Sequence, residues 1–123
     1  MAKYGNKQVL YDGKVFDSKK ELARYKELKF LEAAGEITDL QTQVPFDLLP
    51  AAFETYARFG NSGKRLKDGR RCIERAVTYK ADFVYKDRHG KTVVEDTKGM
   101  RTDKYILKRK MMLYFHGIRI REL

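Results

Sequence analysis

The chain has 123 residues, of which 27 are lysine or arginine and 17 are aspartate or glutamate, a net charge of +10. That length builds one compact domain. With 42% hydrophobic and 12% aromatic residues, it has the means for a packed core and is not a disordered tail. A positive surplus of this size on so small a domain points to a polyanionic partner; the plain alternative is a basic protein whose charge serves only solubility. No stretch approaches the roughly eighteen apolar residues of a membrane span, and the first residues do not read as a secretory leader. The expected location is therefore cytoplasmic, with no membrane partner. Cys72 is the one cysteine, and His89 and His116 are the two histidines. This excludes an internal disulfide and a cysteine zinc cluster, and it leaves neither histidine with a partner at metal-ligand spacing. A metal in this chain has to be held by oxygen, the donor set of a hard cation.

Met1 to Lys7 is polar and basic and reads as a loosely held lead-in. Val9-Leu10-Tyr11 and Lys14-Val15-Phe16 flank Asp12-Gly13, the pattern of a small hairpin with a two-residue turn. Ser18, with Glu21 three residues on, forms a capping box at the start of a helix. Leu22, Tyr25, Leu28 and Leu31 give that helix its apolar stripe, and Gly35 stops it. Ile37 to Leu49 reads as extended, with Pro45 confining it to a sheet edge or a bulge. Phe53 to Arg75 is the least regular stretch. Gly60-Asn61-Ser62-Gly63 has loop composition, Asp68-Gly69 reads as a turn, and the basic residues crowd together, so the expectation is a mobile basic loop between two strands. Ile73 to Tyr85 then reads as a strand, Asp87 to Gly90 as a hairpin turn, and Thr92 to Lys98 as the return strand, ended by Gly99. Thr102 or Asp103 caps a second helix, which offers Tyr105, Ile106, Met112, Leu113 and Phe115 to the core and stops at Gly117. Ile118 to Arg121 alternates as a last strand. The expected fold is α/β: helix, strand, strand, strand, helix, strand after a small N-terminal hairpin, forming a single domain (residues 1–123) with a mixed sheet and helices packed on it.

The chemistry concentrates in Lys80-Ala81-Asp82-Phe83 and Glu95-Asp96-Thr97-Lys98. The turn at Asp87 to Gly90 makes these segments antiparallel neighbours, with Asp82 and Asp96 at a similar level. Residues two apart in a strand share a face, so Asp96 and Lys98 point one way and Glu95 and Thr97 the other. Glu95 is expected to pair with a cation away from the site. Two carboxylates can hold Mg²⁺ while leaving positions open for water and a phosphate oxygen. A lysine beside them can orient or deprotonate the attacking water and stabilise developing charge. An ordinary ion pair across a hairpin would use the same residues. Lys64, Arg65, Arg70 and Arg71 in the basic loop, with Arg101, Lys104 and Lys108 on or beside the second helix, are the candidate DNA contacts. They would offset the repulsion between bare carboxylates and phosphates. Tyr4, Tyr56 and Phe59 have two uses, stacking on bases or packing in the core, and core packing is expected.

The pattern Asp82 … Asp96-Thr97-Lys98 in this element order resembles the PD-(D/E)XK nuclease superfamily. The longer wording resembles a family of small phage-borne, endonuclease-like proteins. It runs through Tyr4-Gly5-Asn6-Lys7, Phe16-Asp17-Ser18-Lys19-Lys20-Glu21, Gln43-Val44-Pro45-Phe46, Tyr79 to Phe83 and Val94 to Gly99, and covers nearly the whole chain. Ala81 stands where many members have proline before the first aspartate. The resemblance implies a restriction-endonuclease-like core and a metal site of Asp82, Asp96 and the Thr97 carbonyl. It adds an acid on the first helix, here Glu21, whose other reading is the cap alone. Mg²⁺ is the implied cofactor, with Mn²⁺ as substitute. A DNA endonuclease of phage DNA processing in a bacterial host follows, with branched DNA such as a Holliday junction as the substrate. A homodimer follows by analogy with junction resolvases. Set against it are a non-catalytic nucleic-acid-binding protein on the same scaffold and a structural phage protein.

Overall fold

Asp12 and Gly13 both adopt positive φ, 55° and 72°, the two-residue turn whose twist matches that of a hairpin. In the computed structural model of the protein, which describes residues 7–97 and 101–123, they join β1 (Val9–Tyr11) to β2 (Lys14–Phe16). The expectations for Met1 to Asn6, including Tyr4, and for Lys98 and Gly99 lie outside the described residues. Helix α1 (Lys19–Ala33) starts where the Ser18 hydroxyl accepts the Glu21 N–H. It ends at Gly35, φ 79°, where the amides of Gly35 and Glu36 bond back to the carbonyls of Glu32 and Leu31. That crossed pair satisfies carbonyls the helix end leaves open.

Strand β3 (Thr38–Leu49) pairs only with β6 (Val77–Lys86), followed by β7 (Thr92–Asp96) and β8 (Arg121–Glu122) in the order β3-β6-β7-β8. The first two pairings are antiparallel and β7-β8 is parallel, so the sheet is mixed. Pro45 sits on the edge strand, where its missing N–H disturbs no second ladder. Helix α2 (Asp103–His116) carries the chain from β7 to β8. Its start is capped by Thr102, whose hydroxyl accepts the Tyr105 N–H, and its end by Gly117 at φ 66°. Two apolar clusters hold the helices to the sheet. Phe16, Tyr25, Leu28, Phe83 and Tyr85 pack on the α1 side. Tyr79, Ala81, Val94, Tyr105 and Met112 pack on the α2 side. No described helix is long and apolar enough to cross a membrane.

Setting β4 and β5 aside, the expected order of helices and strands stands, but five expectations need correction. The stretch read as a basic loop is two long antiparallel strands, β4 (Ala52–Phe59) and β5 (Arg65–Glu74), which form a separate two-stranded sheet. Gly60 to Gly63 is its turn, closed by the bond from Gly60 N–H to the Lys64 carbonyl. Asp68-Gly69 is not a turn: Gly69 lies inside β5 opposite Tyr56, and a side chain there would run into the Tyr56 ring. The glycine is required by the ring that covers it, not by a reversal of the chain. Ile73 and Glu74 belong to β5, and the central strand begins at Val77. Leu113 and Phe115 are about half exposed, since the buried stripe of α2 runs through Tyr105 and Met112. The last strand is Arg121–Glu122, with Ile118 and Ile120 ahead of it packing into the core.

Candidate active site

The turn between β6 and β7 sets the level of everything that follows. The Asp87 carboxylate accepts the N–H groups of Lys91 and His89 at 3.0 and 2.9 Å. Those bonds, that from Lys91 first, hold its carboxyl below the usual carboxylate value. With Gly90 at φ 78°, the strands leave the turn in a register that pairs Val84 with Val94 and Phe83 with Glu95. Asp82 and Asp96 are the next residues along on β6 and β7.

Asp82 is held from two neighbouring strands. Its Oδ2 accepts the backbone N–H and the hydroxyl of Thr97, just past β7, at 2.9 and 2.8 Å. Its Oδ1 lies 3.5 Å from Nε2 of Gln43 on β3. The same Nε2 donates to Oε1 of Glu21 on α1 at 2.7 Å. Glu21, only 2% exposed, uses its other oxygen to accept the Asp17 N–H at 3.2 Å. One oxygen of Glu21 thus accepts the N–H just ahead of the Ser18 cap, and the other faces the sheet. Burial, and after it the neighbouring carboxylate of Asp82, push Glu21 up to about 7. A neutral amide is all that bridges these two carboxylates, which is the setting in which a cation is favoured.

Gln43 was missed as a site residue. Its φ of 53° is left-handed, unusual for a non-glycine residue inside a strand, and it aims the amide between Glu21 and Asp82. The signal available was one of two amides, Gln41 and Gln43, beside an apolar stretch. It gains meaning only from the register, in which Thr42↔Phe83 and Val44↔Ala81 bracket Gln43 against Asp82.

Asp96 is 1% exposed, and its Oδ2 accepts the Tyr79 hydroxyl at 2.6 Å. Burial, and then that bond, raise the Tyr79 phenol above its usual value. The ring of Tyr79 lies against Tyr105 of α2 at 6.3 Å. The structure thus joins Glu21, Gln43, Asp82 and Thr97 in one hydrogen-bonded chain and gives Asp96, the next residue back, a bond to tyrosine. Lys98 lies outside the described residues. Among the described residues, no group of three or more His, Cys, Asp or Glu side chains stands ready to hold a metal.

Glu95 finds the cation expected of it, but on α1, the helix that also carries Glu21, and the Thr97 hydroxyl meets Asp82, so the two do not lie on a face apart from the site as strand parity predicts. Glu95 is fully buried and receives Nε and Nη2 of Arg24 at 2.8 and 2.7 Å, together with the Tyr85 hydroxyl. Arg121 approaches to 3.8 Å. Burial, then the bond to Glu95, push Tyr85 up to about 12. Arg24 is one turn past Glu21 and Glu95 immediately precedes Asp96, so this pair fixes α1 against β7 beside the site.

A family model matches residues 1–121 of the chain. The chain belongs to that family, described as Protein of unknown function (DUF1064). No curated protein and no solved structure matches it.

In this DUF1064 chain the candidate DNA contacts fall into two groups. Lys64, Arg65, Arg70 and Arg71 all lie on the β4–β5 hairpin. There Arg65 pairs with Asp68, and Arg71 with Glu54 at 2.5 Å, while the Arg70 guanidinium lies 3.7 Å from the centre of the Phe53 ring. Lys104 and Lys108 are one turn apart on α2, Lys104 exposed and Lys108 half-buried. Arg101 pairs with Glu122 at 3.2 Å. Tyr56 and Phe59 are 41% and 63% exposed, so the expectation that they pack in the core fails.

Proposed function

We propose that this DUF1064 protein is a metal-dependent nuclease that hydrolyses phosphodiester bonds in DNA, built on a restriction-endonuclease-like core. The observation that carries the reading is the convergence of Glu21, Gln43, Asp82 and Thr97 from α1, β3, β6 and the end of β7, with Asp96 adjoining. The order α1-β3-β6-β7-α2-β8 around a mixed sheet and the net charge of +10 support it.

The donor set is all oxygen and fits a hard cation. Asp82, Asp96 and the Thr97 carbonyl, with Glu21 beside them, would hold Mg²⁺ or Mn²⁺, which supplies charge neutralisation and an acidified water at the phosphate. The chain's own residues do the rest. Thr97 orients the Asp82 carboxylate through two hydrogen bonds. Gln43 spaces it from Glu21. Lys98 is assigned to the attacking water and the developing charge. Branched DNA is the proposed substrate, a homodimer the proposed form, and the cytoplasm of a bacterial host the proposed setting.

The test is incubation with a four-way junction, a flap, a single strand and plain duplex, in Mg²⁺, in Mn²⁺ and in EDTA, with Asp82→Ala, Asp96→Ala and Lys98→Ala alongside. Metal-dependent cutting lost in all three variants is expected. Salt-sensitive binding without cutting by the wild type would replace this reading with a non-catalytic nucleic-acid-binding protein.

A further inference from the structure

Among the described residues, the β4–β5 hairpin packs chiefly on itself: neither strand packs substantially on a helix or on another sheet, and Gly69 is its one buried residue. A two-stranded ribbon without a core is marginal in water, so its composition calls for a reason. Aromatic rings and guanidinium groups alternate along it. Arg70 lies over Phe53 at 3.7 Å, Arg71 over Tyr56 at 4.8 Å and Arg65 over Phe59 at 5.8 Å.

The pairing sorts these residues by face. Phe53, Thr55 and Phe59 alternate on one side of β4, and their partners Cys72, Arg70 and Arg65 share that side. Glu54 and its partner Arg71 lie on the other. One face therefore presents Arg70, with no carboxylate paired to it, and Arg65, whose one acidic partner is the exposed Asp68 on its own strand. A guanidinium resting on a ring has already given up side-chain freedom, while its N–H donors point outward along the plane.

We propose that this hairpin is a duplex-binding arm, a two-stranded ribbon that lies in the major groove of DNA. An eight-residue strand is about 26 Å long, and the groove admits a two-stranded ribbon. Arginine is the residue best matched to phosphates and to guanine edges there. Single strands are the poorer fit: base stacking needs an open ring face, and these rings each carry a guanidinium. The proposal rests on the nuclease reading only in taking DNA as the polyanion.

The experiment is fluorescence anisotropy with the full chain in EDTA, where cutting cannot intervene, against a duplex DNA, its single strand and the matching duplex RNA. The duplex DNA is expected to bind most tightly, because the deep, narrow groove of RNA does not admit side chains. Arg65→Ala with Arg70→Ala is expected to weaken binding at least about tenfold and to flatten the dependence of log K on log salt by about 2. Phe53→Ala keeps every charge and is expected to weaken binding roughly threefold at unchanged salt slope. Thermal midpoints should stay near that of wild type. Tighter binding to single strands or RNA, unchanged affinity in the double variant, or a dimer that dissociates when the arginines are removed would each overturn the arm. A chain that never cuts but grips duplex through these arginines would refute the nuclease and keep the arm.

Discussion

Glu21→Gln is the substitution whose outcome the structure specifies most sharply. In the folded chain Glu21 takes up a proton at about 7 against an ordinary value of 4.5, so between those limits the folded state binds more protons than the unfolded one. Stability contributed by this residue is therefore full below about 4.5, falls as the pH rises toward 7, and stays low above it. At about 1.4 kcal/mol per tenfold change in acidity, the penalty above pH 7 is about 3 kcal/mol. Glutamine removes the charge and keeps an oxygen that can accept the Asp17 N–H, and the Gln43 amide can turn over to meet the new one. Urea unfolding in EDTA should find the variant about as stable as wild type at pH 4.5 and about 3 kcal/mol more stable at pH 8. Millimolar Mg²⁺ at pH 8 should then stabilise the wild type more than the variant, since a ligand that binds only the folded state adds stability with concentration. If the variant gains nothing at pH 8 in EDTA, neither the burial penalty on Glu21 nor its repulsion by Asp82 is there, and the case for a cation between them goes with it.

Arg24→Ala leaves Glu95 buried and unpaired and should cost about 3–5 kcal/mol, read by urea unfolding. Arg24→Met with Glu95→Leu should recover most of that loss. Gln43→Ala should reduce cutting at least about tenfold with little change in thermal midpoint, because the amide spaces the carboxylates without belonging to the core; equal rates would remove Gln43 from the site. Gly117→Ala forces a left-handed φ on an L residue and should cost about 1 kcal/mol, again measured by unfolding.

The parts of the fold legible in the sequence are those written in local chemistry. Asp12-Gly13, the Ser18 cap, Gly35, Pro45, the Asp87 turn and Gly117 each act within a few residues, and the structure has them in those roles. The β4–β5 ribbon was not legible because its strands bury no apolar face, so alternation in hydrophobicity, the usual mark of a strand, is missing. Its stabilising pairs join residues such as Phe53 and Arg70, which only the register brings together. The same reason hid Gln43, which meets Glu21 on α1 and Asp82 on β6. Strand parity set Glu95 and Thr97 apart from the site, yet Glu95 meets Arg24 one turn from Glu21 and the Thr97 hydroxyl meets Asp82, and parity said nothing of Tyr79 reaching Asp96. Helical spacing offered Leu113 and Phe115 to the core as readily as Met112, since periodicity alone does not say where the sheet lies.

Strands β3 and β6 pair right up to Leu49 and Val77, the two points between which the ribbon departs and returns. The ribbon is therefore a detour between ends that the main sheet already holds side by side. The entropy of closing such an excursion grows only logarithmically with its length, about 0.6 kcal/mol per doubling. Residues can be added to it, removed or exchanged with almost no consequence for the sheet that carries Asp82 and Asp96. Relatives of this chain are thus free to differ in this ribbon without disturbing the sheet from which it departs.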